Sequence, residues 1–205
     1  MEYYIYSTPL FMVDETPPEI NIPRFCQEVE EILPPALLDN VEVVYVGNFK
    51  ELKGRNAAFS HGGIYMTATE PTSFDMVENF VHEVAHSLEG RYTREIYTDD
   101  FRNEFLGKRR RLRDLLEAQG YHITPALYEF TEYNEKFDKF LAEEVGYPLL
   151  LNLTMGLFVS PYGATSLQEY FANGFEKYFL DNAIHLRNIS PILYEKIEEI
   201  INEQA

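Results

Sequence analysis

Thr72-Ser73-Phe74-Asp75-Met76-Val77-Glu78-Asn79-Phe80-Val81-His82-Glu83-Val84-Ala85-His86-Ser87-Leu88-Glu89 reads as one helix with two unlike faces. At about 100° per residue, Met76, Val77, Phe80, Val84 and Leu88 share one side. His82, Glu83 and His86 fall on the other, with Asp75, Asn79 and Glu89. Thr72 and Asp75 have the spacing of a capping box at the start. The apolar side demands something to pack against, and the polar side stacks two imidazoles at i and i+4. His82-Glu83-Val84-Ala85-His86 is the pattern H-E-x-x-H. On a helix, two histidines so spaced can hold one Zn²⁺, and the glutamate between them lies where it can take a proton from a water. A pair of surface histidines with no metal is the competing reading.

Working outward from this helix, elements of sheet lie before it and helices after it, an α+β order. Tyr3–Tyr6 suggests a short strand. Asn21 and Pro23 open a helix whose stripe is Ile22, Phe25, Cys26, Val29, Ile32 and Leu33, and Pro34-Pro35 stops it. Val41–Val46 is apolar and β-branched, as a strand is. Ala57–Ser60, His61-Gly62-Gly63 and Ile64–Thr69 read as a hairpin whose first arm is an edge strand. After Gly90, Asp99–Gln119 carries Phe101, Phe105, Leu112, Leu115 and Leu116 at helical spacing, and Gly120 closes it. Thr124-Pro125 opens a second helix with Leu127, Phe130, Phe137, Phe140 and Leu141 inward, ending at Gly146 and Pro148. Two more run from Ser166 to Asp181 and from Ser190-Pro191 onward, the last with Ile192, Ile197, Ile200 and Ile201 inward. The expectation is one domain over residues 1–205, with a sheet lobe over about 1–90 and a helical lobe over about 91–205.

Composition narrows the function. The chain has 205 residues, 45% of them hydrophobic and 15% aromatic, enough for a packed core. A net charge of −17 argues against nucleic acid or anionic lipid as a partner, because both attract positive surface. It suits solubility or a basic substrate, and a monomer is favoured. The single Cys26 excludes an internal disulfide framework and sits among apolar helix positions, which points to packing. No stretch is apolar enough for a membrane span; Leu149–Val159 is interrupted by Asn152, Thr154 and Gly156. No basic region followed by an apolar run opens the chain, so no secretory signal is visible. The expectation is a cytoplasmic protein, one exported by another route, or a secreted one that has shed its leader. Lys108-Arg109-Arg110-Arg111-Leu112-Arg113 is the dense basic run; it reads as the solvated face of a helix, or as a dock for an acidic partner.

A catalytic zinc takes three protein ligands and keeps one position open. A metzincin would place its third histidine at position 92, which is Tyr92, and a glycine where Glu89 stands, so that class is excluded. His61, His122 and His185 have no motif spacing to the pair. A glutamate on a second helix is the better solution, with Glu95, Glu169 and Glu176 as candidates. Glu169 is also placed to cap its own helix with Ser166, and position alone leaves both roles open.

Gln168-Glu169-Tyr170-Phe171-Ala172-Asn173-Gly174-Phe175, preceded by Tyr162, resembles the second metal motif of the anthrax-lethal-factor-like zinc peptidases. These include the Pro-Pro endopeptidases of clostridia and bacilli. Their pattern is H-E-x-x-H, then a Tyr, then E-[FY]-F-A-x-x-F, with the same spacing from Tyr to Glu. Tyr178-Phe179-Leu180 and Pro191-Ile192-Leu193-Tyr194 are similar as well. Asp99–Gly146 resembles an inserted helical pair, and Asn173 stands where the family has an acidic residue.

The resemblance implies a zincin-like fold and an endopeptidase with one catalytic Zn²⁺ held by His82, His86 and Glu169. It implies Glu83 as general base and Tyr162 as hydroxyl donor to the oxyanion. Glu89, where the family commonly has Asp, is expected to bond the outer nitrogen of a ligand histidine. Zincins hold substrate as an added strand, for which Asn56, Ala57, Ala58, Phe59 and Ser60 are the candidates. The expected partner is a peptide or protein substrate. E-x-x-A-N-x-F also resembles intracellular zinc peptidases that cleave repressors. A catalytically silent zinc-binding module and an acidic interaction domain are the other readings.

Overall fold

Tyr6 takes a left-handed backbone, φ 52°, and turns β1 (Glu2–Ile5) back into β2 (Thr8–Met12). The computed structural model describes residues 2–52 and 54–203. Asn21 accepts a hydrogen bond from the Arg24 N–H and starts α1 (Ile22–Ile32), as its sequence indicates. The chain then forms β3 (Val43–Gly47), β4 (Ala57–Ser60) and β5 (Gly63–Thr67). The β4–β5 turn is the two residues His61 and Gly62, both at positive φ as a tight hairpin requires, and Gly63 already belongs to β5. The sheet order is β1-β2-β3-β5-β4. β2, β3 and β5 run parallel, and β1 and β4 are antiparallel edges. The fold is therefore mixed α+β.

β2 was not legible from the sequence, because Pro9 argues against a central strand. Its pairing with β3 begins at Leu10, one residue past the proline, so no ladder bond to β3 is lost. Leu10, Val44, Val46, Ile64 and Met66 point to the core and are fully buried. The alternate residues Phe11, Tyr45 and Tyr65 stack across three strands on the other face, at centroid spacings of 5.9 and 5.4 Å. The next helix, α2 (Ser73–Glu89), packs on β4, β5 and α1. Phe25 and Phe80 meet edge to face where α1 crosses α2. Cys26 is buried, and burial pushes its thiol up to about 11, which makes it inert.

Contacts divide the chain into two compact units, one reaching through Thr93 and the other spanning Arg94–Asn202. The division falls within α3 (Thr93–Ile96), whose last three residues belong to the second unit. The second unit is built on α4 (Asp99–Ala118), α5 (Glu135–Lys139), α6 (Tyr147–Thr154), α7 (Leu167–Leu180), α8 (Ala183–Ile189) and α9 (Pro191–Glu203). Gly120, φ 86°, ends α4, and the Tyr121 N–H returns to the Leu116 carbonyl. Leu115, expected inside, is exposed.

The segment from Thr124 to Gly146 is not one helix. Pro125–Tyr128 is a single tight turn, Asn134 caps the short α5, and a π-helical stretch Phe140–Gly146 follows. Gly146 at φ 83° breaks the helix there, and Pro148 lies in the first turn of α6 instead of ending its predecessor. Phe130 is exposed. Arg109 explains the irregular path. It is fully buried, donates to the carbonyls of Phe130 and Leu127, and lies 4.1 Å from the centre of the Phe137 ring.

The basic run is thus not a solvated face throughout. Lys108 is buried too and donates to Leu157 O, Ile189 O and Ser190 Oγ, which uses all three of its protons. Burial pulls Lys108 down to about 8 and Arg109 to about 10. Arg110 and Arg111 do face solvent. Glu104, one turn earlier on α4, accepts from Tyr170 Oη and from the N–H groups of Ile192 and Leu193 at the start of α9.

Gly174 lets α7 and α9 touch. A Cβ there would clash with the Leu193 side chain, whereas one at Gly107 on α4 would meet no heavy atom within 4 Å. Gly174→Ala is therefore expected to cost about 1–3 kcal/mol by overpacking. Gly107→Ala is expected to gain about 0.5–1 kcal/mol from helix propensity. Urea denaturation of the two variants checks the pair; shifts of the same sign would contradict the packing described.

Candidate metal centre

α2 begins as its sequence indicates: Thr72 Oγ1 accepts the Asp75 N–H at 3.1 Å and donates to the Asp75 carboxylate. Met76, Val77, Phe80, Val84 and Leu88 are buried, and Val81 and Ala85 widen the apolar face beyond the expected stripe. That face fixes the rotation of the helix, and rotation fixes the histidines. His82 Nε2 and His86 Nε2 stand 3.2 Å apart, with ring centroids at 4.9 Å. Two nitrogens bound to one tetrahedral zinc at about 2.0–2.1 Å would be about 3.3 Å apart. His86 Nδ1 lies 2.6 Å from Glu89 Oε1. A carboxylate there accepts a hydrogen bond from Nδ1–H, which keeps the proton on Nδ1 and leaves the Nε2 lone pair free to bind metal. The donor set of α2 therefore fits a zinc ion, and Glu89 stands beside His86 as expected.

Glu83 is 8% exposed, and its Oε2 accepts the Phe59 N–H at 2.6 Å. The register explains this contact. Asn56 O accepts from Thr67 N–H, and Ala58 and Ser60 follow in phase, so their main-chain groups face β5. Ala57 and Phe59 turn theirs to the open edge. Of the candidate substrate strand, Ala57–Ser60 is β4 and Asn56 precedes it. Sequence reasoning could not find the Phe59–Glu83 bond, because a main-chain donor carries no residue signal.

Glu70, between β5 and α2, was also missed. It is 2% exposed, and its Oε1 accepts from Asn79 Nδ2 at 2.9 Å, on the histidine face of the helix. Its Oε2 meets no hydrogen-bond donor among the described residues.

In the second unit, Ser166 caps α7 by accepting the Glu169 N–H at 3.1 Å. Glu169 therefore does occupy the capping position that its spacing allowed. Tyr162 opens a tight turn, Tyr162–Ala164, and its hydroxyl lies 3.3 Å from Glu169 Oε1. Asn173, where the resembling family is acidic, is buried and has a positioning task. Its Nδ2 donates to Glu169 O, and its Oδ1 accepts from Ser160 Oγ. Ser160 Oγ in turn accepts the Gly163 N–H at 3.3 Å. One amide thus ties the Glu169 backbone to the Tyr162 turn. A polar residue four past Glu169, where it can reach the helix carbonyl behind it, was the available signal.

The remaining candidates lie elsewhere. His61 bonds Ser60 Oγ in the hairpin turn, and His122, His185 and Glu95 are exposed. Glu176 is half-buried on α7. No helix of the described residues is long and apolar enough to cross a membrane. No protein-family model, no curated protein and no solved structure matches the chain.

Burial raises the Glu70 carboxyl to about 7, against the Asn79 hydrogen bond and with the Asp75 charge adding to it. The folded state then holds a proton more tightly than the unfolded chain. Below about pH 4.5 both forms are protonated; as pH rises through about 7 the folded protein loses this advantage. Glu70→Gln is expected to be more stable than the parent by on the order of 1–3 kcal/mol at pH 8 and equal to it at pH 4. Urea denaturation at both pH values checks this, and a difference independent of pH would contradict it.

Proposed function

We propose that this protein is a zinc-dependent endopeptidase of zincin-like fold, in which His82, His86 and Glu169 hold one zinc ion. The observation that carries the proposal is the α2 geometry: two imidazole Nε2 atoms converge at 3.2 Å while Glu89 orients one ring from behind. The resemblance of Glu169-Tyr170-Phe171-Ala172 and Tyr162 to the lethal-factor-like peptidases points the same way.

A zinc ion held there supplies a Lewis acid for the scissile carbonyl and lowers the pKa of a water toward neutrality. Glu83 takes the proton from that water and passes it to the leaving amine. Its Oε2 is held by the Phe59 N–H, which leaves Oε1 for this exchange. The Tyr162 hydroxyl donates to the oxyanion as it develops. Substrate pairs as an added strand with the outward groups of β4, through Ala57 N–H and C=O and Phe59 C=O. The Phe59 N–H is committed to Glu83 and sets the register of that pairing.

Cleavage of a diverse peptide library, mapped by mass spectrometry, tests the reading. The zinc-loaded protein is expected to cut peptide bonds, and Glu83→Gln to lose at least about a thousandfold in rate while keeping its zinc. A Glu83→Gln variant as active as its parent would overturn the assigned chemistry. Stoichiometric zinc with no cleavage by either protein would favour a silent metal-binding module.

A further inference from the structure

Asn79 stands on the histidine face of α2, one turn before Glu83. Its Nδ2 donates to Glu70 Oε1 at 2.9 Å, and Glu70 is buried. An ionised carboxylate can only accept, so this bond fixes the sense of the amide: nitrogen toward Glu70, oxygen away from it. Asp75, one turn earlier, does not compete, because its carboxylate accepts from Thr72 Oγ1. Asn79 is half-buried, and its Oδ1 meets no donor among the described residues. The mechanism above gives neither Asn79 nor Glu70 a task.

The edge strand shows what that oxygen faces. Glu83 reaches the Phe59 N–H, which points outward from β4, so the polar side of α2 lies beside the open edge of the sheet. At the other end of β4, the Asn56 carbonyl accepts from Thr67, and Glu70 follows Thr67 by three residues. The contacts Glu70–Asn79 and Phe59–Glu83 therefore set α2 and β4 side by side in the same direction. Asn79 is about 6 Å back from Glu83 along the helix, and Ala57 about 6.7 Å back from Phe59 along the strand, so the two stand level. A substrate residue paired with Ala57 shares its side of the sheet. Ala57 is buried on the core side, opposite Met66. The side chain of that substrate residue is thus directed toward α2, at Asn79.

We infer that Asn79 is a specificity-determining residue and that Glu70 is its positioning residue. Asn79 Oδ1 accepts a hydrogen bond from the side chain of the substrate residue opposite Ala57. That residue carries a hydroxyl, amide or ammonium group; an apolar one leaves Oδ1 unpaired and is cut more slowly. Glu70 touches no substrate. It acts by holding the amide in one sense, since an unheld amide turns over and offers Nδ2 in place of Oδ1. The inference rests on the zinc-peptidase reading and extends it to the class of peptide the site takes.

The zinc-loaded parent, Asn79→Leu and Glu70→Leu are compared on a diverse peptide library. The assay runs at pH 8, above the value of about 7 to which burial raises Glu70, so that its carboxylate only accepts. Circular dichroism and metal analysis confirm fold and zinc in each protein. Sites cut by the parent are expected to favour Ser, Thr, Asn, Gln or Lys at one fixed position from the scissile bond. For two peptides with Gln or Met at that position, the ratio of their kcat/KM values is expected to fall about three- to tenfold in both variants. No cleavage by the zinc-loaded parent overturns the zinc-peptidase reading and the inference with it. Cleavage with no such preferred position, or with a ratio that Asn79→Leu leaves unchanged, overturns the inference alone. A ratio lost in Asn79→Leu but kept in Glu70→Leu overturns the positioning role of Glu70.

Discussion

α2 must bury one face and keep the other polar, and the organisation of the first unit follows from that demand. Phe80, Val84 and Leu88 need a surface, which the core side of β4 and β5 and the Phe25 side of α1 supply. Burial on that scale is worth several kcal/mol, far more than any polar contact on the opposite face. The rotation of α2 is thereby settled by hydrophobic packing, and the imidazoles inherit their direction from it. Little further adjustment brings the two Nε2 atoms to 3.2 Å. The same packing sets Glu83 against the edge strand, where the Phe59 N–H finds it. An edge strand ordinarily leaves such a donor to solvent; here it orients a carboxylate.

The second unit solves a different problem, the holding of irregular chain. Lys108 and Arg109 do this from inside. Their donors end on main-chain carbonyls of Leu157, Ile189, Phe130 and Leu127. A buried cation is costly unless its protons are used; Lys108 uses all three of its own and Arg109 donates through Nη1 and Nη2, while both lie over aromatic rings. Leu157 lies only a few residues before Ser160 and Tyr162. The contact of Lys108 therefore stabilises the approach to the Tyr162 turn, and Asn173 fixes its far side.

Local signals were legible and long-range ones were not. Caps and periodicity located α1, α2, α7 and α9, because Asn21, Thr72 and Ser166 satisfy N–H groups three residues on. The edge position of β4 was readable from its short, polar-flanked run. The stretch from Thr124 to Gly146 was misread because Leu127, Phe137 and Phe140 keep a helical period across an interrupted path. Their spacing cannot reveal that Asn134 restarts the helix or that Gly146 breaks it. Charge pattern likewise cannot tell a buried Lys108 from an exposed Arg111. Within the candidate site, the i, i+4 pair and Glu89 lie on one helix and could be read. Phe59, Glu70 and Asn173 act through main-chain groups or across sequence distance, and leave no comparable mark.

The central claim concerns the ligands of one metal ion. X-ray absorption spectroscopy of the zinc-loaded protein reads them directly, since imidazole, carboxylate and thiolate give different distances and scattering. The account predicts one zinc per chain with nitrogen and oxygen ligands at about 2.0–2.1 Å, two imidazoles among them, and no sulfur. It predicts that Glu169→Ala changes this first shell or loses the metal. Substoichiometric zinc, a sulfur ligand, or a shell unchanged by Glu169→Ala would contradict it.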